Sequence, residues 1–182
     1  VIQMAALTDL EVAFVNLGGG FGIPYFPKDR SLELGAFTAP AEHAVQRLRN
    51  EFGEIDVVME LGRYLVGEAG IYVCRVVDTK ESRGTRYVVT DGGLHHHLAA
   101  SGNFGQVIRK NYPVVVVEPR QPAETVTVVG LLCTPLDVLA DAVILGRLDP
   151  GSLVAILQSG AYGKTASPSR FLSHGDCAEI LI

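Results

Sequence analysis

Three consecutive glycines, Gly18-Gly19-Gly20, follow directly on the apolar run from Val12 to Leu17, and Phe21-Gly22 comes next. An apolar run of that length stopping on glycine reads as a buried strand ending in a tight turn. Glycine there lets successive backbone N–H groups turn inward around an anion and lets the chain approach it closely. Past an irregular loop rich in aromatic residues and proline, Ala44, Val45, Leu48 and Phe52 fall on one face of a helix between Ala39 and Phe52. Ile55 to Met59 is a second strand-sized run, and it ends at Glu60. A strand, a crossover helix and another strand predict a parallel pair within an α/β sheet or barrel. The glycine spacing is neither that of a P-loop nor that of a dinucleotide-binding turn, because no Lys-Ser/Thr pair or helix-opening GxGxxG follows.

From Gly62 onward the pattern turns to strands. Ile71 to Asp78 and Thr85 to Thr90 flank the polar stretch Lys80 to Gly84, a hairpin signal. Val114 to Val117, Thr125 to Val129, Leu153 to Leu157 and Ala178 to Ile182 are further β-rich runs separated by glycine and proline. Regular short strands of this kind predict an antiparallel barrel or sandwich. The expected organisation is an α/β part over residues 1–62 and a β domain over 63–182. The chain opens on Val1, in helix-like sequence, and reads as a piece of something longer.

Composition removes several classes. The 182 residues carry 15 Lys and Arg against 20 Asp and Glu, a net charge of −5 with no basic run, so no electrostatic footprint for nucleic acid exists. No stretch approaches the roughly 20 apolar residues of a membrane helix. Cys74, Cys133 and Cys177 are odd in number and widely spaced, which suits a reducing cytoplasm rather than a disulfide framework.

Four clusters carry chemistry. The glycine run is the first; by itself such a loop is more often just a turn. Glu60-Leu61-Gly62-Arg63 offers an acid for a cationic ring nitrogen and an N–H and guanidinium for phosphate, or simply a strand-end ion pair. In Cys133-Thr134-Pro135-Leu136-Asp137 the cysteine is either a buried structural thiol or a proton donor or nucleophile presented in a cleft. Ser159-Gly160-Ala161-Tyr162-Gly163 leaves Tyr162 free to reach a ligand, unless it is a core tyrosine with a satisfied hydroxyl. A fifth stretch, Leu94 to Asn103, holds His95, His96 and His97. On a strand only His95 and His97 share a side, and no thiol or carboxylate lies nearby in sequence. A pocket or interface role is therefore expected, and no metal site is assigned.

Taken in order, GGGFGIPY, ELGRYLVGEAG, LCTPLD and SGAYG resemble the fold-type III pyridoxal-phosphate decarboxylases, which include the diaminopimelate, ornithine and arginine decarboxylases. The resemblance covers essentially the whole chain. It implies the last strands of a (β/α)8 barrel followed by a C-terminal β domain, and a homodimer with shared active sites. It assigns the cofactor phosphate to Gly18, Gly19 and Gly20, with Gly62, Arg63 and Tyr162 completing that site. Glu60 matches the acid that pairs with the protonated pyridine nitrogen. Cys133 matches the catalytic cysteine that protonates the substrate α-carbon from the partner subunit, and Thr134 and Asp137 fall to substrate binding.

Three departures qualify the match. Leu61 stands where the family usually has proline. Thr134 stands where members acting on diamines carry an acid for the distal ammonium, so a substrate without that group is implied. The HHHLAASGNFG stretch replaces the carboxylate-gripping Arg-Pro segment of diaminopimelate enzymes. With LCTPLD it looks like the branch associated with exosortase loci or with aminoacyl groups tethered to carrier proteins. Lys28, Lys80, Lys110 and Lys164 are the lysines present, and none sits in the context of the family's Schiff-base lysine, which is expected upstream. The alternative reading is a non-catalytic homologue that regulates a true decarboxylase by mixed dimerisation. A racemase of the related barrel family fits the motifs poorly.

Overall fold

A computed structural model describes residues 11–26, 28–118 and 121–182. The chain divides into two compact units, one from Val1–Ile23 with Arg30–Leu65 and one from Pro24–Asp29 with Val66–Ile182. The sequence reading put a boundary at Gly62; the contacts divide the chain after Leu65 and assign Pro24–Asp29 to the second unit.

The first unit is a strand–helix–strand. β1 (Phe14–Gly19) and β2 (Asp56–Glu60) pair in parallel, Phe14 opposite Asp56 and Gly19 opposite Glu60, with a register shift between Asn16 and Gly19. The connecting helix α1 (Leu34–Phe52) starts earlier than its apolar spacing indicates and carries Pro40 within its first half. Its start lacks a side-chain cap, and Thr38 Oγ1 donates back to the Leu34 and Gly35 carbonyls instead. Leu48 is the buried residue of α1 and packs with Val15 and Ile55, with Val12, Phe52 and Val57 around them. Those residues are the apolar positions of the two strands and of one helix face, so the hydrophobic pattern alone accounts for this core. A short helix α2 (Gly62–Val66) follows β2 after Leu61.

The second unit is a six-stranded sheet in the order β5-β8-β3-β4-β6-β7. Its strands are β3 (Tyr72–Ser82), β4 (Thr85–Thr90), β5 (Val114–Val116), β6 (Ala123–Val129), β7 (Val138–Gly146) and β8 (Leu153–Ile156). β5 and β7, at the two ends of that order, also approach one another, so the sheet nearly closes into a barrel. Val76, Val88, Val126, Val128, Leu139, Val154 and Ile156 fill its inside.

Several expectations change here. The sheet is not wholly antiparallel: β4 and β6 run parallel, joined by the long segment that includes β5. The hairpin turn is only Arg83-Gly84, both at positive φ, and Ser82 pairs with Thr85. That is the two-residue turn whose twist suits an antiparallel ribbon. Ala178 to Ile182 forms no strand; Ile180 to Ile182 are exposed, and Glu179 pairs with Lys164 at 3.2 Å. β7 has no counterpart in the sequence reading, because Ala142 at φ 47° breaks the alternation that would have marked it. The three histidines lie on a turn, not a strand: the N–H groups of His96 and His97 both donate to the Gly93 carbonyl.

Candidate functional site

On the first unit, β1 and β2 end side by side, as parallel pairing requires, and this sets the glycine run next to Glu60. Gly18 and Gly20 have φ of 78° and 90°, and a Cβ on either would meet open space. Gly19 is different, since a Cβ there would overlap the Glu60 backbone carbonyl. The turn therefore needs glycine for two reasons: left-handed backbone at two positions and close approach of the strands at the third. The Glu60 carboxylate is held by Asn16, whose Nδ2 donates to Glu60 Oε1 at 2.6 Å. Asn16 Oδ1 in turn accepts the Gly18 N–H at 2.7 Å. One side chain thus ties the acid to the glycine turn, and sequence reasoning passed over it. The available signal was a polar residue in the middle of an apolar strand. Gly62 and Arg63 form the first turn of α2, with Arg63 half-buried.

These residues suit a phosphorylated pyridine. Glycine backbone with open space above it admits a phosphate, a guanidinium lies just past β2, and an oriented carboxylate ends that strand. Gly18, Gly19, Gly20, Glu60, Gly62 and Arg63 are thus gathered at one end of the first unit's sheet.

On the second unit, Cys133 is exposed at the start of the turn between β6 and β7. Cys74, by contrast, is buried on β3, and burial pushes its thiol up to about 12. Cys133 is therefore the thiol open to chemistry on this part of the sheet. Thr134 uses its hydroxyl inside the turn, accepting the Leu136 N–H at 3.3 Å. Asp137 is 3% exposed, and its two carboxylate oxygens accept the N–H groups of Leu94 at 2.7 Å and Leu132 at 2.8 Å. Tyr162 is 42% exposed, with its ring 5.7 Å from that of Phe104, and holds a left-handed backbone at φ 56°.

Between these two loops lies the histidine turn. His95 and His97 are each 1% exposed. His97 Nδ1 accepts the Ala100 N–H at 3.2 Å, so its Nε2 carries the proton and donates to Ser159 Oγ at 2.9 Å. Ser159 Oγ in turn donates to the Ile156 carbonyl at 2.9 Å. Burial holds the His97 pKa down at about 4, which keeps the ring neutral in this role. His96 bridges Tyr72 Oη on Nδ1 and the Gly175 carbonyl on Nε2. Among the described residues no group of three or more His, Cys, Asp and Glu side chains is arranged to hold a metal ion. An apolar cavity of about 690 Å³, lined by Tyr25, Phe26, Lys110, Tyr112 and Val143 among others, contains none of the nominated residues.

Comparison with known proteins gives the class. Residues 12–160 match the family model described as "Pyridoxal-dependent decarboxylase, C-terminal sheet domain", and the chain belongs to that family. It is 43% identical over 173 residues to the L-glutamyl-[BtrI acyl-carrier protein] decarboxylase of Niallia circulans, covering 92% of this chain and 40% of that protein. It is 30% identical over 179 residues to the diaminopimelate decarboxylase of Methanothermobacter thermautotrophicus, covering 96% of this chain and 40% of that one. Among solved structures, the diaminopimelate decarboxylase of Helicobacter pylori complexed with L-lysine superposes with a TM-score of 0.76 at 26% identity, over 93% of this chain and 39% of that chain. The M. jannaschii enzyme in complex with L-lysine gives 0.80 at 24% identity, over 97% and 39%, a likeness of fold. The chain thus spans about 40% of the length of the relatives it matches.

Proposed function

We propose that this chain is the C-terminal part of a pyridoxal-phosphate-dependent decarboxylase that removes the α-carboxylate of an amino acid or a carrier-bound aminoacyl group. The observation that carries this reading is the Asn16–Glu60 pair beside the Gly18–Gly20 turn, in a chain of this family. In this reading β1, α1 and β2 are the last elements of a (β/α)8 barrel and the six-stranded unit is the C-terminal β domain. Pyridoxal phosphate, when bound, supplies an electron sink for the pair left behind by departing CO₂.

The chain's own residues then divide the work. Gly18, Gly19 and Gly20 with Gly62 and Arg63 receive the phosphate. Tyr162, on the second unit, is assigned to the cofactor by the family resemblance alone. Glu60, oriented by Asn16, pairs with the ring nitrogen and keeps it protonated. Cys133 Sγ–H delivers a proton to the carbon that has lost its carboxylate, and the thiolate recovers its proton from solvent. In the family that cysteine comes from the partner subunit, so a homodimer belongs to the proposal. Three free cysteines suit a cytoplasmic protein.

Thr134 narrows the substrate. Its neutral hydroxyl offers no charge for a distal ammonium, which disfavours ornithine, lysine and diaminopimelate. The 43% identical relative is named for a glutamyl group on a carrier protein, and a substrate of that kind carries no such ammonium.

Borohydride reduction of the full-length protein with pyridoxal phosphate, followed by peptide mass mapping, tests the reading. A pyridoxyl adduct on a lysine upstream of Val1 is expected. An adduct on Lys28, Lys80, Lys110 or Lys164 would displace the cofactor from the site argued above. The absence of any specific adduct would favour the non-catalytic homologue.

A further inference from the structure

Asp137 is built into the second unit as a clamp. Its carboxylate lies between Gly93 and Gly130, and a Cβ on either glycine would overlap it. One oxygen takes the Leu94 N–H and the other the Leu132 N–H, while the Asp137 carbonyl accepts the Gly130 N–H at 3.0 Å. The first bond reaches across to the histidine turn, and the other two close the segment Gly130–Asp137 on itself. Asn103 adds a second tie from the histidine stretch, donating to the Leu136 carbonyl at 3.0 Å. Cys133 stands in that closed segment, next to Leu132, with its thiol exposed.

Two N–H donors converging on two oxygens call for a carboxylate. An amide of the same shape accepts at one end only and turns its own N–H₂ toward the other donor. The burial of Asp137 and the commitment of both oxygens leave it no face for a substrate. We propose that Asp137 is a positioning residue, fixing the Gly130–Asp137 segment so that the Cys133 thiol is held at one place and angle for proton delivery. This inference rests on the decarboxylase reading given above. Placement of a proton donor matters because misplacement by about 1 Å can cost roughly a hundredfold in rate.

A double-mutant cycle on the full-length holoenzyme separates positioning from general support. Asp137→Asn is expected to lower kcat about 10- to 100-fold, with cofactor affinity unchanged within about twofold. In a Cys133→Ala background the same change should cost less than about threefold, because the group it positions is gone. Effects that simply multiply, or a kcat loss matched by lost cofactor affinity, would overturn the proposal. If Asp137→Asn does not fold, Gly130→Ala, which pushes the carboxylate from its place without removing it, enters the same cycle under the same expectations. Should the wild-type protein release no CO₂, the decarboxylase reading fails on its own terms. The rate of Cys133 alkylation by iodoacetamide then decides the clamp, with a change of about fivefold or more in Asp137→Asn expected and an unchanged rate overturning it.

Discussion

Asn16 is the residue on which the proposed cofactor site turns. Its amide is bifunctional: Nδ2 donates to Glu60 while Oδ1 accepts from Gly18, so acid and glycine turn are fixed by one group. Asn16→Ala removes a hydrogen bond to a charged partner, a loss of about 1.5–3 kcal/mol, or about 10- to 100-fold. The expected outcome is weaker pyridoxal-phosphate binding by that factor, read by titrating the cofactor's absorbance into full-length protein; Asn16→Asp, which sets two carboxylates together, should be worse. At this scale the sequence was legible where chemistry is written in residue type. The glycine turn and Glu60 stood out because they end strand-sized apolar runs. Asp137 and His97 were visible as residues but not as partners, because the Leu94 N–H that Asp137 accepts and the Ser159 hydroxyl that His97 meets lie far away along the chain. Gly93 and Gly130 flank the Asp137 carboxylate, which a Cβ on either would overlap.

Elements were legible to the extent that they keep one period. β1, β2, β4 and β8 are uninterrupted apolar or alternating runs and lie within a residue or two of their expected bounds. β7 was hidden by Ala142, whose left-handed backbone lets Thr127 Oγ1 accept the Ala142 N–H and donate to Asp141 Oδ1. Ala178 to Ile182 shows the converse: an apolar run that pairs with no strand among the described residues. In α1, Leu48 is the one buried side chain among the described residues. Leu48→Ala is therefore expected to cost about 3 kcal/mol. Hydrogen exchange should localise that loss to α1, β1 and β2 and leave the six-stranded sheet protected; uniform loss across both units would contradict the separate cores described above.

For the molecule as a whole, the buried histidines tie stability to pH. Folded His97 takes up a proton only near pH 4, against about 6.5 when unfolded, because burial among Tyr72, Tyr112 and Ser159 disfavours the cation. Burial and the neighbouring His96 lower the His95 pKa as well. Between those pH values the unfolded chain binds more protons, so stability is full above pH 6.5 and falls as pH drops toward 4. His97 alone accounts for a loss of about 3 kcal/mol across that window. Denaturant midpoints measured from pH 7.5 to pH 4 should show this decline, and His97→Gln should flatten it. A midpoint that rises on acidification would refute the neutral, hydrogen-bonded His97 described here.

In the function proposed here, the chain is part of a decarboxylase working on substrates without a distal ammonium group. Its most direct test is CO₂ release by the full-length protein with pyridoxal phosphate, comparing a glutamyl-loaded carrier protein and free glutamate with ornithine, lysine and diaminopimelate. Release from a substrate lacking the distal ammonium, abolished by Glu60→Ala, is the predicted result. Turnover of ornithine, lysine or diaminopimelate as fast as of any other substrate, or release indifferent to Glu60, would contradict it.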